Sequence, residues 1–389
     1  MTGVNGANSV ITKNPKALAL RARYAWNQSD HPMVLGVRGA LDRRLVPYVS
    51  TLSLAGPDAP SLGYAGVPDG VGKIQQTLEA CREAGGASTI SVRRTRARRS
   101  GVFGGVLPPA DLVAVGCRAE QVAELPAENA LVLPFRMHLV VGLSGGQDDW
   151  RRAVSKRERQ WFSARRKERA WGFEVSEDED AFRFFYRRMH LPTMRSRHGA
   201  RTRSEPEDSA LECLFRTGLL AFATVDGERV SGVLCRRSAD GATLTIRLLG
   251  VLDGAEKMYE IGALKALYHL LLEWADAHGV RRLDLGGTEA WFGRGLFQWK
   301  RRFAPRVVLA PNHLGGLRVW FHARRDTPAV RDFLVANPVL EIVGDGEFGA
   351  VYFCDEHRPA RLDLAHAGPN VRTFRTVQLD DFLPTRSAS

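Results

Sequence analysis

The sequence predicts an α+β or α/β fold arranged as two domains or one bilobed unit. Three observations carry this reading. The chain has 389 residues, 44% of them hydrophobic, enough for a packed core larger than one small domain needs. Three β-rich segments, Leu219–Val225, Arg229–Arg236 and Ala242–Gly250, are separated by the hairpin dipeptides Asp226-Gly227 and Asp240-Gly241. An apolar helix, Ile261–Ala277, then precedes a short strand, Leu283–Gly286, that would return beside the meander.

The elements follow in order. Residues 1 to about 30 read as a loosely structured lead-in. A helix is expected over Lys73–Ala84, where Ile74, Leu78 and Cys81 recur at helical spacing, and Gly85-Gly86 end it. Arg93, Arg94, Arg96, Arg98 and Arg99 form a basic run bounded by Gly101, Gly104 and Gly105. It reads as a solvated loop or flap, or as a polyanion site. Strands are expected at Leu112–Cys117 and Ala130–Gly142, the second nearly all apolar, as in a central strand.

Ser144 to Gln147 has the spacing of a capping box, and Asp148 and Asp149 suit a helix N-terminus. That helix should reach Arg169 with Trp150, Val154, Trp161 and Ala164 near one face. Lys156, Arg157 and Arg159 begin a basic covering of the rest, either a track for a polyanion or a solvated surface. Another helix should start near Glu177–Asp180 and stop at His190-Leu-Pro192, with Arg195–Arg203 as a basic loop. The last third should hold strands near Val307–Leu309, Leu317–Phe321 and Ala350–Cys354 and a helix over Pro328–Ala336 that begins with proline at a tolerated position. The tail from Ser387 is expected to be disordered.

A net charge of +12 and a pI near 9.9 point toward polyanions: RNA, an anionic membrane surface or a phosphate-rich small molecule. The five cysteines, Cys81, Cys117, Cys213, Cys235 and Cys354, are widely spaced and form no CxxC pair, so free thiols in a reducing cytoplasm are expected, without a zinc site. The N-terminus lacks a secretory apolar region and no stretch reads as a membrane span, so a soluble cytoplasmic protein is expected, or one peripheral to a membrane. Walker, GxSxG and dinucleotide motifs are missing from the sequence.

Three segments give the chain a family likeness. Asp149-Trp150 leads into Lys156, Arg157 and Arg159 and then Glu168-Arg-Ala-Trp-Gly172. Phe184-Phe-Tyr186-Arg-Arg-Met189 follows. Asp284-Leu-Gly286 then precedes Gly295-Leu-Phe297-Gln-Trp299-Lys300-Arg-Arg-Phe303. Over roughly residues 135–310 the chain resembles the Fem-type peptidyltransferases (FemAB-like) of the GNAT acyltransferase superfamily. Trp299 stands where the family has Phe before the lysine, and Ala304-Pro305 replaces the usual glycine after Phe303.

The resemblance implies two GNAT-like lobes, each a mixed, mostly antiparallel sheet flanked by helices: a divergent N-terminal lobe, 1–143, and a C-terminal lobe, 144–389. It implies transfer of an acyl group to an amine. The donor would be aminoacyl-tRNA, without a cofactor, and the acceptor an amine on a small molecule or peptide; acyl-CoA as co-substrate is the alternative. Many such relatives serve secondary metabolism. A non-catalytic RNA- or polyanion-binding protein of the same fold is the third reading.

For amide formation Lys300 is the candidate to stabilise the oxyanion, or else an ordinary solvated lysine. Asp284 either orients or deprotonates the amine or braces the glycine turn at Gly286; Glu289 is a second carboxylate. Arg247, Tyr259, Gly286, Glu289, Trp299 and Tyr186 are candidate substrate contacts, Arg247 standing on an apolar strand where a charge is either at a cleft or paired. Lys156, Arg157, Arg159, Lys257, Arg301 and Arg302 are candidate RNA or phosphate contacts. The Asp253–Gly262 connection could hold phosphate at a helix start, but Glu260 opposes a pyrophosphate there.

Overall fold

The computed structural model describes residues 15–145, 147–199, 204–344 and 346–384. Among these the strands are β1 (Tyr48–Leu54), β2 (Leu62–Gly66), β3 (Ser91–Ala97), β4 (Leu112–Arg118), β5 (Ala130–Pro134), β6 (Met137–Gly142), β7 (Trp171–Ser176), β8 (Leu219–Val225), β9 (Glu228–Arg237), β10 (Thr243–Val251), β11 (Arg282–Thr288), β12 (Arg306–Leu309), β13 (Leu317–Ala323), β14 (Val339–Gly344), β15 (Glu347–Cys354) and β16 (Val371–Gln378). The class is α+β, with large mixed sheets flanked by helices, as the patterning predicts.

The chain divides into two compact units, one of residues 1–29 and 165–274, the other of residues 30–164 and 275–389. They interleave along the sequence, where the sequence reading places one boundary at residue 143. The physical reason lies in the larger unit: β13, from the last third of the chain, pairs with both β4 and β5 and so completes the N-terminal sheet.

In the smaller unit β7, β8, β9 and β10 form an antiparallel meander. Its hairpin turns place Asp226 at φ 52°, Gly227 at φ 86° and Gly241 at φ 68°, left-handed conformations that suit these residues. Phe182, Phe185, Met189, Leu214, Phe222 and Leu234 build its core. The expected lead-in is instead a helix from Pro15, Pro15–Gln28, that buries Tyr24 in that core. The expected stop at Pro192 does not occur. A π-helical segment, Phe185–His190, runs into the helix Leu191–His198, and Pro192 stands at the junction, where the helical hydrogen-bond spacing changes. Residues 200–203 of the expected basic loop, and the tail from Ser387, lie outside the described residues.

The larger unit contains a six-stranded sheet in the order β3-β1-β2-β4-β13-β5, in which β2 and β4 are parallel. That pair stays closed to its end. A β-carbon on Gly66 would fall 2.1 Å from the Gly116 carbonyl oxygen, and the fully buried Tyr64 donates its hydroxyl to the Val67 carbonyl at 2.6 Å.

Two expectations fail here for local reasons. The single strand expected over residues 130–142 breaks at Pro134-Phe135-Arg136. Proline cannot donate to a ladder, so β5 ends on β13 and β6 starts afresh between β11 and β12. Arg93, Arg94 and Arg96 of the run expected as a loop lie in strand β3, paired along its length with β1, and Arg99 opens a short helix after it. The expected long basic helix is two helices, Gln147–Ala153 and Lys156–Glu168. At the break the Ser155 N–H donates to the Arg302 carbonyl at 2.8 Å. The helix Pro328–Ala336 has the expected bounds, and β14, β15 and β16 form a three-stranded sheet beyond it.

Candidate functional site

The site grows from the β6–β11 ladder. Asp284 stands opposite Val140 and Gly287 opposite His138, with an irregularity between the two pairs. Gly286 occupies φ 86° at that point, a conformation open to glycine and rarely to other residues. The offset lets Asp284 reach diagonally to His138. Asp284 Oδ2 and His138 Nδ1 are 2.6 Å apart, and both side chains are buried. Asp284 Oδ1 accepts the Gly286 N–H at 2.8 Å. A carboxylate accepting at Nδ1 fixes the imidazole tautomer, so Nε2 of the neutral ring is the proton acceptor. Asp284 thus braces the glycine turn, and its second oxygen meets His138, a partner that the sequence reading did not foresee.

Lys300 enters the same ladder from the last residue of the helix Gly295–Lys300. Its amine is buried and donates to the Gly286 carbonyl at 3.4 Å. Burial, reinforced by the Arg136 charge, pushes it down to about 8, against the opposing pull of Asp284 and Glu289. Arg136 is ion-paired with Glu289. It lies across Gly287, where a β-carbon would fall 2.4 Å from Arg136 Nε. Lys73, from the helical segment after β2, adds a further amine lowered first by burial. Its partner Asp69 is 3.4 Å away, and His313, 3.6 Å from the same carboxylate, is the largest influence holding Asp69 down to about 2. Asp69 and His313 also face a cavity of about 190 Å³ lined in part by Arg38, Tyr48, Arg99 and Arg118.

The structure thus brings Lys300, Asp284, Gly286 and Glu289 together and adds His138, Arg136 and Lys73, which sequence reasoning missed. One signal was available: His138 is the lone ionisable residue of the apolar strand Met137–Gly142. The other candidates of this unit have structural partners or open surroundings. Trp299 packs edge-on against Phe303 at 5.5 Å. Arg301 Nε donates to Gln298 Oε1 at 3.0 Å, and Arg302 is paired at 2.9 Å with the fully buried Glu158. Lys156 and Arg157 are exposed, while Arg159 donates to the Val154 carbonyl.

The remaining candidates belong to the smaller unit. Arg247 is paired: it donates to Gln28 Oε1 at 3.1 Å and lies 5.8 Å from the Tyr24 ring centre, which fastens the helix Pro15–Gln28. The Tyr186 hydroxyl donates to the Glu205 carbonyl at 2.7 Å. Arg197 stacks over the Tyr259 ring at 4.4 Å. Lys257 is exposed on a short helix, and Asp253 in the same connection is held by Arg188 in a two-point ion pair.

Among the described residues no group of His, Cys, Asp and Glu could hold a metal ion, and no helix is long and apolar enough to cross a membrane. The cysteines are all free thiols.

No protein-family model matches the chain, and no curated protein matches it. Solved structures with some likeness include L-PGS from Bacillus licheniformis, at 13% identity over 79% of this chain and 96% of that one, with a TM-score of 0.35. FemX shares 10% identity over 72% of this chain and 89% of its own, with a TM-score of 0.38. A GCN5-related N-acetyltransferase-like protein from Streptococcus suis shares 11% over 79% and 100%, with a TM-score of 0.26. Likeness at this level assigns no donor, acceptor or reaction to the chain.

Proposed function

We propose that the chain is an amide-forming acyltransferase that moves an aminoacyl group from aminoacyl-tRNA to an amine on a small molecule or peptide. The observation that carries this reading is the buried Lys300 amine, brought near 8, beside the Asp284–His138 pair. In the proposed reaction the acceptor nitrogen attacks the ester carbonyl carbon, and its proton passes to His138 Nε2. Asp284 holds the ring and stabilises the imidazolium. The Lys300 ammonium stabilises the negative oxygen of the tetrahedral intermediate. The ester C–O bond then breaks, and the ribose hydroxyl leaves with the proton from His138. An aminoacyl ester is already activated, so positioning supplies much of the remaining rate.

The +12 net charge and the exposed Lys156 and Arg157 favour a polyanionic donor. The acyl-CoA alternative keeps the same site chemistry with a thiolate leaving. It is disfavoured by Glu260, close to the start of the long helix. The non-catalytic reading leaves the buried lysine and the His–Asp pair without a role. Sequencing of RNA that co-purifies with the chain, beside calorimetry with acetyl-CoA, separates them. Enrichment of one tRNA family is expected; saturable acetyl-CoA binding without enriched RNA overturns the tRNA donor.

A further inference from the structure

The helix Pro32–Leu45 half-buries Val34 and Leu35 but leaves other large apolar side chains open. Its sheltered side carries Arg38 and Asp42, joined at 3.3 Å. Its open side carries Met33, Val37, Leu41 and Leu45, every fourth residue, with relative exposures of 74, 55, 41 and 71%. Gly36 and Ala40 are exposed between them on the same face. A β-carbon added at Gly36 would meet nothing within 4 Å. Arg44, one turn beyond Ala40, ends the apolar run on this face, and exposed apolar side chains clustered in this way mark a surface that something else covers.

The chemistry around that face is cationic. Arg43 and Arg44 are exposed at the C-terminal end of the helix. Arg99 donates to the main-chain carbonyls of Asp42, Arg43 and Val46 and stacks over the Tyr48 ring at 4.9 Å. These bonds fasten the Arg98-Arg99 corner to the helix end. From that corner edge strand β3 runs away along β1, with Ala97 opposite Tyr48, Arg96 opposite Val49 and Arg94 opposite Thr51. Arg94 and Arg96 share one face, roughly 7 Å apart by strand geometry, on the opposite side of the sheet from Ala97 and Tyr48. Residues 91–99 contain no acidic side chain. Arg44, Arg93, Arg94, Arg96 and Arg98 make no ion pair among the described residues, and Arg43 stands 3.9 Å from Glu120.

We propose that this face docks on the surface of an anionic phospholipid bilayer. Met33, Val37, Leu41 and Leu45 enter the boundary between headgroups and acyl chains. Arg43 and Arg44 at the helix end meet the lipid phosphates. A short helix with an apolar face and basic flanks lies in the membrane plane rather than crossing it. Each arginine near an anionic surface contributes about 1 kcal/mol. A nucleic acid would satisfy the arginines but offer nothing to the apolar stripe. A second copy would cover the stripe but bring two uncompensated basic edges toward one interface.

The test is co-sedimentation of the full chain with mixed phosphatidylcholine–phosphatidylglycerol vesicles and with pure phosphatidylcholine vesicles. The wild type, a Val37→Asp/Leu41→Asp variant and an Arg43→Ser/Arg44→Ser variant are compared, each checked for folding by circular dichroism. Because all four substituted side chains point outward, the fold is expected to survive. The expected result is binding to the anionic vesicles only, weakened roughly tenfold or more in each variant, with the loss of two arginines alone accounting for such a change. No binding, equal binding to neutral vesicles, or binding indifferent to Val37→Asp/Leu41→Asp overturns the proposal. So does a concentration-dependent dimer in sedimentation equilibrium that the same variant dissolves, because the face then belongs to a second copy.

Discussion

Lys300 decides most at the scale of single residues. An unfolded chain keeps a lysine protonated to about pH 10.4, whereas the folded protein releases this proton at about 8. Between those values the unfolded state binds more protons, so stability rises with pH across that window. Below it the buried charge is a standing cost of up to about 3 kcal/mol, since each tenfold loss of proton affinity corresponds to about 1.4 kcal/mol. Lys300→Met is therefore expected to raise the urea midpoint at pH 7 while slowing transfer by about a hundredfold or more, the usual loss on removing an oxyanion donor. A lysine that merely braces the fold would give the opposite sign in the unfolding experiment. Transfer by the wild type should also decline above pH 8, as the amine loses the charge that the oxyanion needs.

At the scale of elements, the β6–β11 ladder places Arg136 across Gly287, and this can be tested without touching a candidate reacting group. In Gly287→Ala the new β-carbon takes the space of the guanidinium, which can swing aside at its flexible end. Stability should stay within about 1 kcal/mol of wild type, because the substitution also restricts the unfolded chain. The Arg136–Glu289 pair should weaken, and Lys300, relieved of a nearby positive charge, should titrate above 8. A pH–rate profile displaced upward at unchanged urea midpoint is the expected signature.

A second element-scale feature is the ion network at the end of the chain. Arg331 is bonded to Asp326, Asp355 and Asp380, which ties the helix Pro328–Ala336 to the turn after β15 and to the short helix Leu379–Phe382. Burial pulls Asp355 up, but Arg331, the His357 N–H and the Arg358 charge together hold its carboxyl below the ordinary range. A depressed carboxylate stabilises above the unfolded value near 3.9 and loses that contribution as pH falls through the folded value. Asp355→Asn should cost about 3 kcal/mol at neutral pH by uncovering part of the buried arginine. Acid titration of unfolding should show the gap to wild type narrowing below about pH 4.

On the scale of the whole molecule, the sequence shows what is local and hides what is assembled. The meander was readable because Asp226-Gly227 and Asp240-Gly241 are strong local turn signals. Lys300, Asp284, Gly286 and Glu289 were readable because they fall within one short stretch. His138 lies 146 residues from Asp284, and Arg136 lies 153 from Glu289, so only the β6–β11 pairing brings them together. The break between β5 and β6 was masked by a continuous apolar run, in which periodicity cannot separate one strand from two. The interleaving of the two units was equally hidden, since β13 reaches its partners from about two hundred residues downstream. Charge density alone misread the arginine run, because alternating exposed arginines on an edge strand look the same as a solvated loop.

The central claim is that this site makes amides from aminoacyl-tRNA. The most direct measurement supplies the purified chain with tRNA charged with labelled amino acids and a mixture of amine-bearing metabolites and peptides, then follows label into amide products by mass spectrometry. The account predicts an amide product that disappears after RNase treatment and that falls about a hundredfold or more with Lys300→Met. A product that persists after RNase, or one that Lys300→Met leaves unchanged, would contradict it.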